Sequence, residues 1–234
     1  MKISIHQPQY IPWPGYFAKI LSSDRFVFLE NAQYQKNSII NRNTIMISGK
    51  AAHLTIPVKK SPLDTPIGRK EVLDNKWRIK HIKSIDNNYK KYPFHEQLME
   101  LMAESLEIKS NSLSEIAIRN VELICRYLGI GTTLTKEEQL PEFKVDSPTD
   151  RLVKIVRFLD GDEYICGTGG KNYMDETLFA KNGINLRYMA YRQTPYVQHN
   201  SKEFVEGLSI LDMIANMAPS EINDHLRKNW VHYE

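Results

Sequence analysis

The first thirty residues constrain the fold more than any other part of the chain. Two short apolar runs, KISI (2–5) and FVFL (26–29), read as strands, the second one buried. Between them GYFAKILSS reads as a short helix opening at Gly15, with Phe17, Ile20 and Leu21 on one side. Such a strand–loop–helix–strand unit is the element from which parallel sheets are built, because parallel neighbours need a crossover. TIMI (44–47) and AHLTIPV (52–58), separated by SGK, form a hairpin with Gly49 in its turn. Residues 61–75, with Pro62, Pro66, Gly68 and clustered charges, read as an exposed connection.

Helices follow. Trp77, His81, Ile82, Ile85 and Tyr89 recur at spacings of three or four, and Pro93 opens a second helix bearing Leu98, Leu101 and Met102. The clearest stripe is Leu113, Ile116, Ala117, Val121, Ile124 and Leu128, closed by Gly129. Ser147 caps another helix with Pro148 at its first position. EYIC (163–166) is a strand running into GTGGK, 172–182 is helical, INLRYMAY (184–191) alternates like a half-buried strand, and two helices end the chain. The expectation is one α/β domain over 1–234, with a central, mostly parallel sheet and a helical insertion at about 76–130.

Composition excludes several classes. At 41% hydrophobic and 25% charged the chain suits a globular fold, and 31 Lys and Arg against 28 Asp and Glu leave only +3. That balance speaks against a dedicated nucleic-acid binder. Ten Lys/Arg lie between Lys59 and Lys91, but they alternate with acids and an apolar stripe, as on a solvated helix face. Cys125 and Cys166 offer neither a disulfide framework nor a tetracysteine zinc site, and read as buried core residues. No HxxxH, HExxH or CxxC occurs, so no metal site is expected. The apolar runs are too short to span a bilayer and MKISIHQPQY is no signal peptide, so a cytoplasmic location with no membrane insertion is expected.

Three segments can carry chemistry. HQPQYIPWPGYFAKI (6–20) leaves the first strand where open α/β sheets bind ligands, stiffened by prolines at 8, 12 and 14. His6, Gln7, Tyr10, Trp13 and Tyr16 would form a rigid rim that stacks a ring and reads its edge, with Gly15 allowing close approach. The alternative is that Trp13, Tyr16 and Phe17 plug the core and His6 is a satisfied buried histidine. ENAQYQKNSIINRNTI (30–45) crowds Gln33, Tyr34, Lys36, Asn41, Arg42 and Asn43 into a loop, with Arg42 presenting a fork for carboxylate or phosphate. A solvated turn explains the same residues. In GTGGKNY (167–173), Gly169, Gly170 and Lys171 suit an anion cradle, with Tyr173 following; a tight turn needing positive φ is the bland reading. Asp24, Glu30 and His6 are candidate general bases.

At these residues the chain resembles the WbqC-like family. The resemblance rests on HQPQYIPWPGYFAKI, SDRFVFLENAQYQK, NRNTI, YICGTGGKNYMDE and YRQTPYVQHNSKEFVEGLSILDMIANM, in order along nearly the whole chain. It implies surface-polysaccharide and O-antigen biosynthesis, with an activated amino sugar as substrate. The first strand, its loop, helix and second strand are also similar, more distantly, to pantothenate synthetase and related adenylate-forming nucleotidyltransferases, which implies a Rossmann-like sheet and ATP as a possible cofactor. Where those enzymes carry His-x-Gly-His, this chain has Trp13-Pro14-Gly15-Tyr16, without the histidines that steady a triphosphate.

Taken together, these features predict a transferase that joins an acyl or aminoacyl group to a nucleotide-linked amino sugar by amide formation. His6, Tyr16 and Arg42 are the expected catalytic residues, and the other named side chains of the three segments bind substrate. A non-catalytic nucleotide-sugar module, or an ATP-dependent adenylate-forming ligase, is the alternative.

Overall fold

A computed structural model describes residues 1–199, 201 and 203–233. Strand β1 (Lys2–His6) is followed by α1 (Pro14–Leu21) and β2 (Arg25–Phe28), and the two strands pair in parallel with Ile3 opposite Arg25. Strands β3 (Arg42–Ile47) and β4 (Lys50–Thr55) form a separate antiparallel hairpin. Its two-residue turn has Ser48 and Gly49 at φ 51° and 76°, the twist that matches the flanking strands. Helices α2 (Lys76–Tyr89), α3 (His95–Leu106) and α4 (Leu113–Leu128) come next, then β5 (Thr133–Lys136), α5 (Pro148–Phe158) and β6 (Glu163–Gly167). The chain closes with α6 (Glu176–Lys181), β7 (Asn185–Tyr191), α7 (Ile210–Asn216), α8 (Pro219–Asn229) and β8 (Trp230–His232).

The main sheet runs β5-β2-β1-β6-β7-β8, parallel except for β8. Counting only its own strands, that is the doubly wound order 3-2-1-4-5-6. The alternation of strand residues separates two cores. Phe26 and Phe28 face α1, α4 and α8, whereas Ile3, Ile5 and Val27 face α5 and α6. Helices therefore cover both faces, as a parallel sheet requires. Order reverses between β1 and β6, where the chain has left the sheet at β5 and re-enters through α5 on the other side of β1.

Local signals explain the boundaries. The Ser112 hydroxyl accepts from Glu115 N–H at 3.3 Å and Gly129 takes φ 66°, so α4 is closed at both ends. Ser147 caps α5 by accepting from Asp150 N–H at 3.0 Å.

Three expectations need correction. Residues 61–75 are not simply an exposed connection: Ile67, Lys70 and Val72 are buried, and Gly68 N–H donates to the Glu30 carbonyl at 2.8 Å. The glycine segment winds as a 3-10 turn, Thr168–Asn172, and the following helix waits until Glu176 because the Asp175 carboxylate accepts from Thr177 and Leu178 N–H. Strands β5 and β8 go unsignalled in the sequence, since one is a polar edge strand and the other is three residues long.

Candidate functional site

A cleft of about 730 Å³ opens at the switch point between the carboxyl ends of β1 and β6. Its floor comes from Ile5 and His6 of β1 with the following Gln7, and from Tyr164, Cys166 and Gly167 of β6. One wall is the start of α5 with Asp146, Ser147, Pro148 and Arg151, and the opposite side carries Asn31 and Gln33 from the loop after β2. Gly169, Gly170 and the exposed Tyr173 complete the rim together with Val145.

His6 is half-buried at the end of β1. Its Nδ1 lies 3.1 Å from the Gln7 carbonyl and 3.5 Å from Gln9 Nε2; the shorter contact, to a group that can only accept, assigns the proton to Nδ1 and the lone pair to Nε2. The Tyr16 hydroxyl donates to the same carbonyl at 3.0 Å, and its ring meets the imidazole edge-on at 5.0 Å. Burial first, and then the Lys19 ammonium, lower the His6 pKa to about 3, so the imidazole is neutral at physiological pH.

Lys19 enters the same cleft from α1 although only 4% exposed, and its Nζ donates to the Ile5 carbonyl at 2.8 Å. Burial lowers its pKa. Arg151, the other cation here, is 2.5 Å from Glu137, whose second carboxylate oxygen accepts from Asn31 N–H at 2.9 Å. Cys166 is buried in the floor, and burial raises its thiol pKa against the pull of Lys19, so it stays a thiol.

Of the expected site residues, His6, Gln7, Gln33, Gly169, Gly170 and Tyr173 meet in this cleft. Tyr16 lies behind it, against His6. Tyr10 is fully buried, and its hydroxyl lies 2.9 Å from His81 Nδ1; it is a core residue, not part of a rim. Trp13 packs on Tyr191 at 5.6 Å. A Cβ on Gly15 would stand 2.1 Å from that indole, so the glycine makes room for Trp13 and not for a ligand.

The second segment also moves away from the cleft. The Arg42 guanidinium donates to the Asn37 carbonyl. Asn41 donates to the Ile56 carbonyl and accepts from Tyr34, while Asn43 accepts from Thr44 N–H. These contacts stitch the hairpin, and Lys36 stands exposed outside the cleft lining. Asp24 accepts from Lys2 N–H at the opposite end of the strands, and Glu30 is buried beneath Ser114, so neither candidate base is at the cleft.

Lys171 turns aside as well, its Nζ 5.1 Å from the Tyr233 ring and 6.0 Å from that of Tyr188. None of the segment's glycines has positive φ; Gly170 is needed because a Cβ would stand 2.3 Å from Cys166 Sγ. Among the described residues no cluster of three His, Cys, Asp or Glu could hold a metal, and no helix is long and apolar enough to cross a membrane. Lys19 and Arg151 were missed because one hides in an apolar helix and the other arrives by the crossover to β6. A lysine between Phe17–Ala18 and Ile20–Leu21 was the available signal.

The sheet order and the cleft at its switch point define a doubly wound α/β protein. The chain belongs to the WbqC-like protein family, whose model matches residues 7–224. A Mycobacterium tuberculosis protein, the uncharacterized protein Rv1507c, is 29% identical over 228 residues, covering 97% of each chain. No solved structure matches.

Proposed function

We propose that this protein is a transferase that forms an amide between an acyl or aminoacyl donor and a nucleotide-linked amino sugar, as an enzyme of surface-polysaccharide biosynthesis. The observation that carries the reading is the neutral His6 in the cleft, with Nδ1 committed to the Gln7 carbonyl and Nε2 left with its lone pair.

The amine of the sugar attacks the donor carbonyl, the C–N bond closes, and the leaving group departs when the carbonyl re-forms. Closure turns the amine into an ammonium, whose proton passes to His6 Nε2 and from there to the departing group; an imidazole held near 3 is a poorly matched base until a bound ligand offsets part of what lowers it. Tyr16 is a positioning residue: its hydrogen bond to the Gln7 carbonyl fixes the acceptor that orients His6. Tyr173, 66% exposed on the rim, offers a face on which a planar base can stack. Holding amine and carbonyl together supplies much of the remaining barrier reduction.

Trp13 and Tyr16, where the adenylate-forming enzymes that the first segment resembles carry phosphate-binding histidines, are taken up by Tyr191 and Gln7, which disfavours the ligase alternative. The test is incubation with nucleotide-linked amino sugars and acyl donors, as thioesters or as free acids with and without ATP, followed by mass spectrometry for the amide. Wild-type product and a loss of about 100-fold or more in His6→Gln, with sugar binding retained, support the reading. Binding without product from any donor would instead favour the non-catalytic module.

A further inference from the structure

Two lysines of this protein are each only 4% exposed, Lys19 and Lys70, and the head group of Lys19 is the more deeply enclosed. Lys70 is saturated: its Nζ donates to the Lys59 carbonyl at 2.5 Å and to Ser61 Oγ at 2.6 Å, and lies 4.9 Å from the Tyr34 ring. A buried ammonium with a structural task looks like that, because each unfilled donor is costly in a low-dielectric setting. Lys19 has one described partner, the Ile5 carbonyl at 2.8 Å, and faces the cleft. Among the described residues it forms no ion pair, in contrast to Arg151, which Glu137 neutralises at 2.5 Å. Of the two basic side chains that line the cleft, Lys19 is therefore the one with no described carboxylate partner. At the rim, nothing lies within 4 Å of where a Cβ would stand on Gly169, so no side chain closes the cleft there.

From this contrast we infer that Lys19 forms a buried subsite for a compact anionic group, carboxylate or phosphate, which the ligand presents to the floor of the cleft. The inference rests on the cleft being the substrate site, and it orients the substrate: its charged end enters first and its planar part stays at the Tyr173 rim. A carboxylate there would be that of the donor acid, and a phosphate would be that of the nucleotide. An anion beside Lys19 also offsets one of the two influences that hold the neighbouring imidazole weakly basic.

The test is thermal unfolding of the full chain in inorganic phosphate and, separately, in acetate, with ionic strength held constant by chloride. Wild-type protein is expected to gain stability with at least one of the two ions, because a ligand bound only by the native state stabilises it. Lys19→Met should weaken that dependence at least tenfold, while Lys36→Met leaves it intact. The ion that acts identifies the source, and action by both identifies a shared anion subsite. No shift in wild type, or equal shifts in wild type and Lys19→Met, would overturn the inference. If Lys19→Met does not fold, carbamylation of Lys19 in wild type by cyanate, followed by peptide mass spectrometry, gives the answer: slowing by phosphate or acetate supports the subsite and unchanged rates refute it. Neither readout needs turnover, so failure of the transferase reading would leave this result standing, and the converse also holds.

Discussion

Residues 7–13 and residues 167–173 both leave the carboxyl ends of neighbouring strands, yet they spend their side chains in opposite ways. The first segment is dense in aromatics and prolines, and most of it is core. Tyr10 and Ile11 are fully buried, Ile11 at φ 40°, a costly conformation for a β-branched residue, held by Asn120 Oδ1 accepting its N–H at 3.0 Å. The second is glycine-rich and open, and it lines the cleft. Side chains able to bind a ligand are unavailable when the protein itself saturates them. What marks a site is an unfilled group lining a cavity, and His6 and the buried Lys19 meet that condition better than any member of the aromatic loop.

The largest expected effect breaks the first segment. Tyr10→Ala should cost about 3–5 kcal/mol of stability in urea unfolding, as a fully buried aromatic does when truncated. A loss below about 1 kcal/mol would show that the loop is not core.

Acidification tests both regions together. His81, hydrogen-bonded to Tyr10, has its pKa lowered to about 4 by burial, and His6 of the cleft is lowered to about 3. Both values lie below the unfolded 6.5, so the unfolded chain takes up protons first. The stabilisation is complete above about pH 6.5 and disappears as pH falls towards 3, roughly 2 kcal/mol per histidine by pH 5. Glu30 and Asp212, whose pKa values burial raises, act with the opposite sign and reduce the net change. Urea midpoints should fall from pH 7 to pH 5; a rise would mean that the carboxylates dominate.

A smaller effect is expected at Gly170. Its alanine variant drives a Cβ into Cys166 Sγ, and overpacking of this kind costs about 1–3 kcal/mol, here with weakened ligand binding. Tyr173→Ala sharpens the contrast further. Stability should stay within about 0.5 kcal/mol while nucleotide-sugar affinity falls, measured by calorimetry. Least of all should happen at Arg42→Ala, whose partner is the Asn37 carbonyl; ligand affinity unchanged within error is the expected result.

Much of the fold was legible because its signals are local. The KISI and FVFL runs, the Ser112–Gly129 bracket around α4 and the Ser147–Pro148 start of α5 each declare themselves within a few residues. Strand β5 did not, since TLTK has no apolar run and gains its identity only by pairing with β2. The cleft was half legible for the same reason. His6, Gln7, Gly169, Gly170 and Tyr173 follow strands directly, and strand ends in a parallel sheet converge. Arg151 reaches the cleft only through the crossover from β5 to β6, which sequence spacing does not express. Arg42 and Lys171 lie outside the cleft lining, which sequence does not express, because free charge in a loop looks the same whether it meets a ligand, a carbonyl or a tyrosine ring.

The central claim is that the switch-point cleft, and not the aromatic loop or the hairpin, receives the substrate. Hydrogen exchange measured with and without a saturating nucleotide-linked amino sugar tests it most directly. Protection is predicted at residues 5–7, 29–33, 145–152 and 164–173, with 41–47 unchanged. Protection centred on 34–47, or none in the cleft segments despite demonstrable binding, would contradict it.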